Sequence, residues 1–215
     1  MSDHLAANGA CAIADHVAAF TTSPWAPLAS LPPWRLPEQI GERVRALIAT
    51  LSPQQYRIEH DVAVHRSATV EAAAVLKGPL IIGPRCFVAA GATLRGGNWL
   101  DSDCIIGPGA ELKTSLVFAG SKLAHFNFVG DSILGGGVNL EAGAIVCNYR
   151  NERADKEIFV SLGGALVATG VSKFGALLGD GCRLGANAVV APGAIIAAGT
   201  VVGRAQLLDA ETPHR

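Results

Sequence analysis

The stretch Ile82-Gly-Pro-Arg-Cys-Phe-Val88-Ala-Ala-Gly-Ala-Thr-Leu94 carries an aliphatic residue at every sixth position. The spacing extends both ways: Val64, Val70, Leu76, Ile82, Val88, Leu94, Leu100, Ile106, Leu112 and Phe118 form ten apolar positions without a miss. A period of six matches neither the 3.6 of a helix nor the alternation of a strand, so it predicts a parallel β-solenoid. Four positions after most of these residues the side chain is small, as at Ala68, Ala74, Cys86, Ala92, Cys104 and Ala110. An aliphatic and a small residue recurring together suit a triangular coil with little room beside each corner.

The repeat resumes at Leu134, Leu140 and Val146, and again at Leu178, Leu184, Val190, Ile196 and Val202. Two interruptions are therefore expected, at Ala119 to Ile133 and at Arg150 to Lys173. The second opens with a charged run, and Gly163-Gly164 within it is placed to turn a hairpin. Residues 59–207 are assigned to the solenoid with an insertion at 150–174, residues 208–215 to a tail, and residues 1–58 to a helical or irregular cap. Within the cap, Pro37 opens a helix through Leu51 with Ile40, Val44, Leu47 and Ile48 on one face. Such a helix would cover the exposed edge of the first coil, with Trp25 and Trp34 packed beside it.

Composition narrows the function. The 215 residues are half hydrophobic and 16% charged, with 25 glycines and a formal charge of −1. That balance gives no reason to expect nucleic acid or an anionic membrane as partner. The N-terminus has no basic stretch leading into an apolar one, so a cytoplasmic protein is expected. Twenty uncharged residues separate Arg183 from Arg204, but the six-residue phase runs through them and argues against a membrane span. Cys86, Cys104 and Cys182 occupy the small inward slot, which suits reduced thiols in a core.

With hexads such as Ile82-Gly-Pro-Arg-Cys-Phe and Ile106-Gly-Pro-Gly-Ala-Glu, the chain resembles the hexapeptide-repeat acyltransferases, whose fold is a left-handed parallel β-helix. More specific are Glu111-Leu-Lys113, Ser121-Lys-Leu-Ala-His125, Val129-Gly-Asp-Ser132 and Gly137-Val-Asn-Leu-Glu-Ala-Gly-Ala-Ile-Val-Cys-Asn-Tyr149. These resemble the acetyltransferase domain of bifunctional N-acetylglucosamine-1-phosphate uridyltransferase/glucosamine-1-phosphate acetyltransferases. The run Ser172-Lys-Phe-Gly-Ala-Leu-Leu-Gly-Asp180 is similar to the archaeal sugar-1-phosphate nucleotidylyltransferase/acetyltransferases.

The resemblance implies a cytoplasmic homotrimer that uses acetyl-coenzyme A to acetylate an amino sugar, as a sugar phosphate or nucleotide sugar, without a metal. His125 would be the general base. Arg95 and Lys113 would hold the sugar phosphate and Asn139 the sugar or acetyl group. Asn148, Tyr149, Ala186 and Arg204 would lie along the coenzyme. An imidazole suits the first role because it titrates near neutrality and can take a proton from an attacking amine. Arginine and lysine suit the second because they make charge-assisted hydrogen bonds to a dianion.

The chain departs from the family pattern at Phe128, where a tyrosine is expected, and at Ala186, where a serine is expected. The spacing after Ala186 also reads as one coil short. No Gly-rich nucleotide loop precedes residue 60, so nucleotidyl transfer is not expected. Two further readings stay open: an acyl-carrier-protein-dependent O-acyltransferase on a nucleotide sugar, with Phe126 and Phe128 lining an acyl channel, and a catalytically degenerate solenoid scaffold. A zinc hydratase would need three converging histidines, and His60 and His65 lie far from His125 in the repeat.

Overall fold

The computed structural model describes residues 11–211. From Val62 onward the chain winds as a parallel β-solenoid with three flat faces. The first face is a seven-stranded sheet that includes Phe87–Val88, Ile105–Ile106, Lys122–Leu123, Asn139–Leu140 and Arg183–Leu184. The second carries Leu94, Leu112, Val129, Val146 and Val190 inward, and the third Ile82, Leu100, Val117, Leu134, Leu178 and Ile196. All these side chains, with the small corner residues Cys86, Ala92, Cys104, Ala110, Ala144, Cys182 and Ala188, form one core running the length of the solenoid.

The first expected interruption is a coil in its own right. Leu123 and Val129 point inward, and residues 119–133 pair on both sides with neighbouring coils. What hides it is a phase slip. Val117, five residues after Leu112, enters the core, whereas Phe118 faces outward into a second apolar cluster. Another five-residue step separates Val129 from Leu134. Rows above the slip pair at eighteen residues, as Ile81 with Trp99, and rows through it at seventeen, as Leu116 with Ile133.

At the corner between the second and third faces, buried side chains make good the missing residue. Asn98 Oδ1 accepts the Ser115 N–H at 2.9 Å, Ser115 Oγ accepts the Ser132 N–H at 3.1 Å, and Ser132 Oγ accepts the Ala176 N–H at 3.1 Å. Each step satisfies a backbone donor that would otherwise be orphaned in the interior.

The second interruption is an insertion. Ile133 pairs directly with Leu177, a step of forty-four residues, so the extra chain leaves and returns without disturbing the register. It contains the hairpin Phe159–Leu162 and Ala165–Ala168, turned by Gly163 and Gly164 at φ 58° and 83°. Below it Arg183 pairs with Val201 and Val189 with Leu207, so the coil that the spacing after Ala186 left missing is present.

The N-terminal segment departs from expectation in position. Helix α1 (Pro37–Ile48) forms, with Ile40, Val44 and Ile48 buried, but it lies along the third face rather than over the end of the solenoid. The third face explains this. Its outward row, Ala63, Ile81, Trp99, Leu116, Ile133 and Leu177, is apolar and buried under Ile13, Val17, Phe20, Trp25, Leu36 and α1, then under Ile158, Val160, Val171 and Phe174 of the insertion. Trp99 meets Trp25 edge-on at 6.1 Å and Phe118 at 5.2 Å. Strands apolar on both sides require cover, and this strap supplies it. Over the first coil, the strand Tyr56–Glu59 pairs antiparallel with Val62–His65.

Candidate active site

Two corners of the solenoid carry the eight predicted site residues. At the corner between the first and second faces, two residues past Leu123, stands His125. Its ring is exposed, and among the described residues it has no hydrogen-bond or ionic partner. The backbone holds it firmly, because the His125 carbonyl accepts the Gly143 N–H at 2.9 Å and Phe126 N–H donates to Pro108 O at 3.0 Å. Phe126 adopts φ 52° and is 73% exposed, with its ring lying over Gly109. The left-handed conformation belongs to the repeat, since Ala73, Asn187 and Ala205 adopt it at the same corner of other coils; what is particular to this coil is an exposed aromatic beside a free imidazole.

Further along the same corner come Ala186 and Arg204. Glu141 binds both, accepting the Ala186 N–H at 2.9 Å and both Arg204 contacts at 3.2 Å. Asn139 lies just before this corner, on the outward side of the first face between Lys122 and Arg183.

At the far edge of the second face lie Arg95, Lys113 and Asn148. Here the structure adds partners that the sequence alone does not assign. Arg95 meets Glu111 at 2.6 Å. Lys113 Nζ donates to both oxygens of Asp131, at 2.9 and 2.7 Å, and the Asn148 amide donates to the same carboxylate. With side chains 17% and 6% exposed, Lys113 and Asp131 form a shielded pair. Register reveals both carboxylates: Arg95 sits opposite Lys113, two residues past Glu111, and Lys113 sits opposite Gly130, which Asp131 follows.

Tyr149 is exposed, with Lys156 Nζ 5.3 Å from its ring centre. The next residue, Arg150, is buried and ties the insertion to the chain end through Asp209 at 2.7 Å and Glu211 at 3.1 Å. Those two carboxylates raise the guanidinium pKa against the opposing effect of burial. The segment bearing Asn148 and Tyr149 is thereby fixed at both ends.

A cavity of about 600 Å³ opens at the C-terminal end between the hairpin and the last coil, lined by Ser161, Leu166, Ile195, Thr200, Asp209 and Glu211. One of about 360 Å³ lies at the opposite end, beside His60, Val62 and Leu76. His125 lines neither. Among the described residues no group of three His, Cys, Asp or Glu side chains converges as a metal site, and no helix is long and apolar enough to cross a membrane.

No protein-family model matches the chain. It is 37% identical over 105 residues to a bifunctional sugar-1-phosphate nucleotidylyltransferase/acetyltransferase of Sulfurisphaera tokodaii, covering 46% of this chain and 26% of that protein. It is 28% identical over 167 residues to the bifunctional protein GlmU of Nitratidesulfovibrio vulgaris, covering 73% of this chain and 32% of the relative. With GlmU of Methanococcus vannielii it shares 30% over 123 residues, covering 57% and 29%. The chain thus spans a third or less of the length of these relatives. Among solved structures, a perosamine N-acetyltransferase of Caulobacter crescentus, in complex with CoA and GDP-perosamine, aligns over 68% of this chain and 50% of its own. That match has 23% identity and a TM-score of 0.22.

Proposed function

We propose that this hexapeptide-repeat β-solenoid, homologous to the bifunctional sugar-1-phosphate nucleotidylyltransferase/acetyltransferases and GlmU proteins, transfers an acetyl group from acetyl-coenzyme A to the amine of an amino sugar. The observation that carries the reading is His125, an exposed imidazole held by its backbone on a rigid corner and claimed by no described neighbour. His125 takes the proton from the acceptor amine as its nitrogen attacks the thioester carbonyl. The new C–N bond forms, an amide or backbone donor steadies the oxyanion, and collapse releases the coenzyme thiolate, which takes up a proton.

Asn139 orients the acceptor beside that corner. Asn148 and Tyr149, with Ala186 and Arg204, line the coenzyme. Arg95 and Lys113, at the far edge of the second face, have their charges already answered by Glu111 and Asp131. An open surface at His125 suits a site completed by a second copy of the chain, as in a homotrimer.

Thiol release from acetyl-coenzyme A on addition of glucosamine 1-phosphate is the direct test. A His125→Ala variant is expected to lose about 10²- to 10⁴-fold in kcat while melting like the parent, since its ring packs against little. Unchanged turnover would remove His125 from the mechanism.

A second reading has its own support. Phe128, Ile145, Val189 and Leu207 stack outward in register along the second face, an apolar track leading away from His125. A long acyl chain delivered by acyl carrier protein would fit such a track. Turnover with acyl carrier protein thioesters but not with acetyl-coenzyme A would favour it.

A further inference from the structure

Lys122, Asn139 and Arg183 occupy one outward row on the first face. The register pairs Lys122 with Asn139 and Asn139 with Arg183, while their neighbours Leu123, Leu140 and Leu184 fill the core. Alternation therefore turns all three side chains away from the solenoid. Successive rows lie ~4.8 Å apart, so the two cations flank the amide across roughly 10 Å, within reach of a common ligand. His125 follows Lys122 by three residues at the adjoining corner.

The contrast with neighbouring cations gives the row its meaning. Arg95 is held by Glu111, Lys113 by Asp131, Arg204 by Glu141, Arg150 by Asp209 and Arg153 by Glu211. For Lys122 and Arg183 no carboxylate lies within ion-pair distance among the described residues, although both are exposed. Glu141, two residues past Asn139, is already occupied by Arg204 and the Ala186 N–H. Two unanswered positive charges on either side of an amide make a site for a phosphate or diphosphate, the amide supplying a neutral donor between charge-assisted ones.

We infer that Lys122, Asn139 and Arg183 form the anion subsite that holds the phosphate or diphosphate of the acceptor sugar, with its amine toward His125. The assignment to the acceptor rests on the acetyl-transfer reading; the anion site itself does not. It moves phosphate recognition away from Arg95 and Lys113, whose charges are spent on carboxylates, and onto the opposite side of the His125 corner.

Calorimetric titration of the full chain with inorganic pyrophosphate tests the site without turnover. The unaltered protein is expected to bind saturably, and Lys122→Gln and Arg183→Gln each to weaken binding about tenfold or more, in line with the loss of one charged hydrogen bond. Arg85→Gln, which removes an exposed cation outside the site, should bind as the parent does. No binding by the unaltered chain, unchanged binding by the Lys122→Gln/Arg183→Gln double variant, or an equal loss in Arg85→Gln would each overturn the proposal.

Kinetics then assign the source of the phosphate. In Lys122→Gln and Arg183→Gln, KM for glucosamine 1-phosphate should rise about tenfold, with kcat, KM for acetyl-coenzyme A and KM for glucosamine itself unmoved. A rise confined to acetyl-coenzyme A would give the row to the coenzyme's phosphates and refute the acceptor assignment. Absence of turnover with every acceptor would sink the acetyl-transfer reading, with the titration still deciding the anion site.

Discussion

Replacing Asp131 by asparagine isolates the electrostatic content of the Lys113–Asp131–Asn148 cluster. Asp131 adopts φ 48°, a left-handed conformation that asparagine shares readily, so the substitution adds no backbone strain. Its effect falls on partners. Lys113 loses the charge that binds it at 2.9 and 2.7 Å, and the incoming amide places a donor near either Lys113 or the Asn148 amide. Breaking a buried pair by removing one member costs about 3–5 kcal/mol. Because the Lys113 side chain keeps 17% exposure, the lower end applies, about 3 kcal/mol. For a chain of this size that corresponds to a fall in Tm of roughly 6–12 °C. Thermal melts followed by circular dichroism, in 0.1 M and 1 M salt, read it out. The deficit should persist at high salt, since a shielded pair is poorly screened, and Lys113→Met added to Asp131→Asn should recover part of it. A fall of less than about 2 °C, or a deficit that disappears in 1 M salt, would show the pair to be an ordinary surface contact.

Close approach and backbone conformation can be separated at two glycines. A Cβ at Gly107 would run into the Ala124 carbonyl of the next coil, so Gly107→Ala should leave little soluble protein or a Tm lower by more than 10 °C, about 3 kcal/mol or more. Gly120 has φ 73° and nothing within 4 Å of where a methyl group would stand, so Gly120→Ala should cost only about 1 kcal/mol, measurable by urea unfolding. Burial pushes the Cys147 thiol up, Arg150 partly opposes it and Glu152 adds to the rise. A raised pKa leaves less thiolate at pH 8, so iodoacetamide should label Cys147 more slowly than a free thiol of pKa about 8.5, the rate still climbing above that pH; labelling at the free rate would contradict this.

The six-residue pattern made the architecture legible because every coil must put an aliphatic residue inside each face. It failed between Leu112 and Leu134 because two corners there use five-residue steps, with Ser115 and Ser132 standing in for the missing backbone. Counting from a fixed phase put Phe118 inside, where Val117 belongs, and turned an ordinary coil into an apparent break. The cover of the third face was also written in the sequence. Ile81-Ile82, Trp99-Leu100, Leu116-Val117, Ile133-Leu134 and Leu177-Leu178 are adjacent apolar pairs, one member for each side of a strand. A strand facing water on one side would alternate.

At the candidate site, the resemblance supplied residue types but not their neighbours. That Lys113 and Arg95 face carboxylates follows from coil-to-coil register, which single positions do not show. The same register brings Lys122 and Arg183 together from sixty-one residues apart, and no local motif connects them.

The strap along the third face also governs how copies of this chain can meet. With that side of the prism occupied by its own N-terminal segment and insertion, a neighbouring copy packing along the solenoid would use the other two sides. Those sides carry His125, Asn139, Lys122 and Arg183 on one flank and Lys113 and Asn148 on the other. In the proposed homotrimer, self-association and ligand binding would therefore draw on the same surface. Such an assembly predicts a specific activity that depends on protein concentration, with ligands shifting the association equilibrium by the same factor that association shifts their affinity.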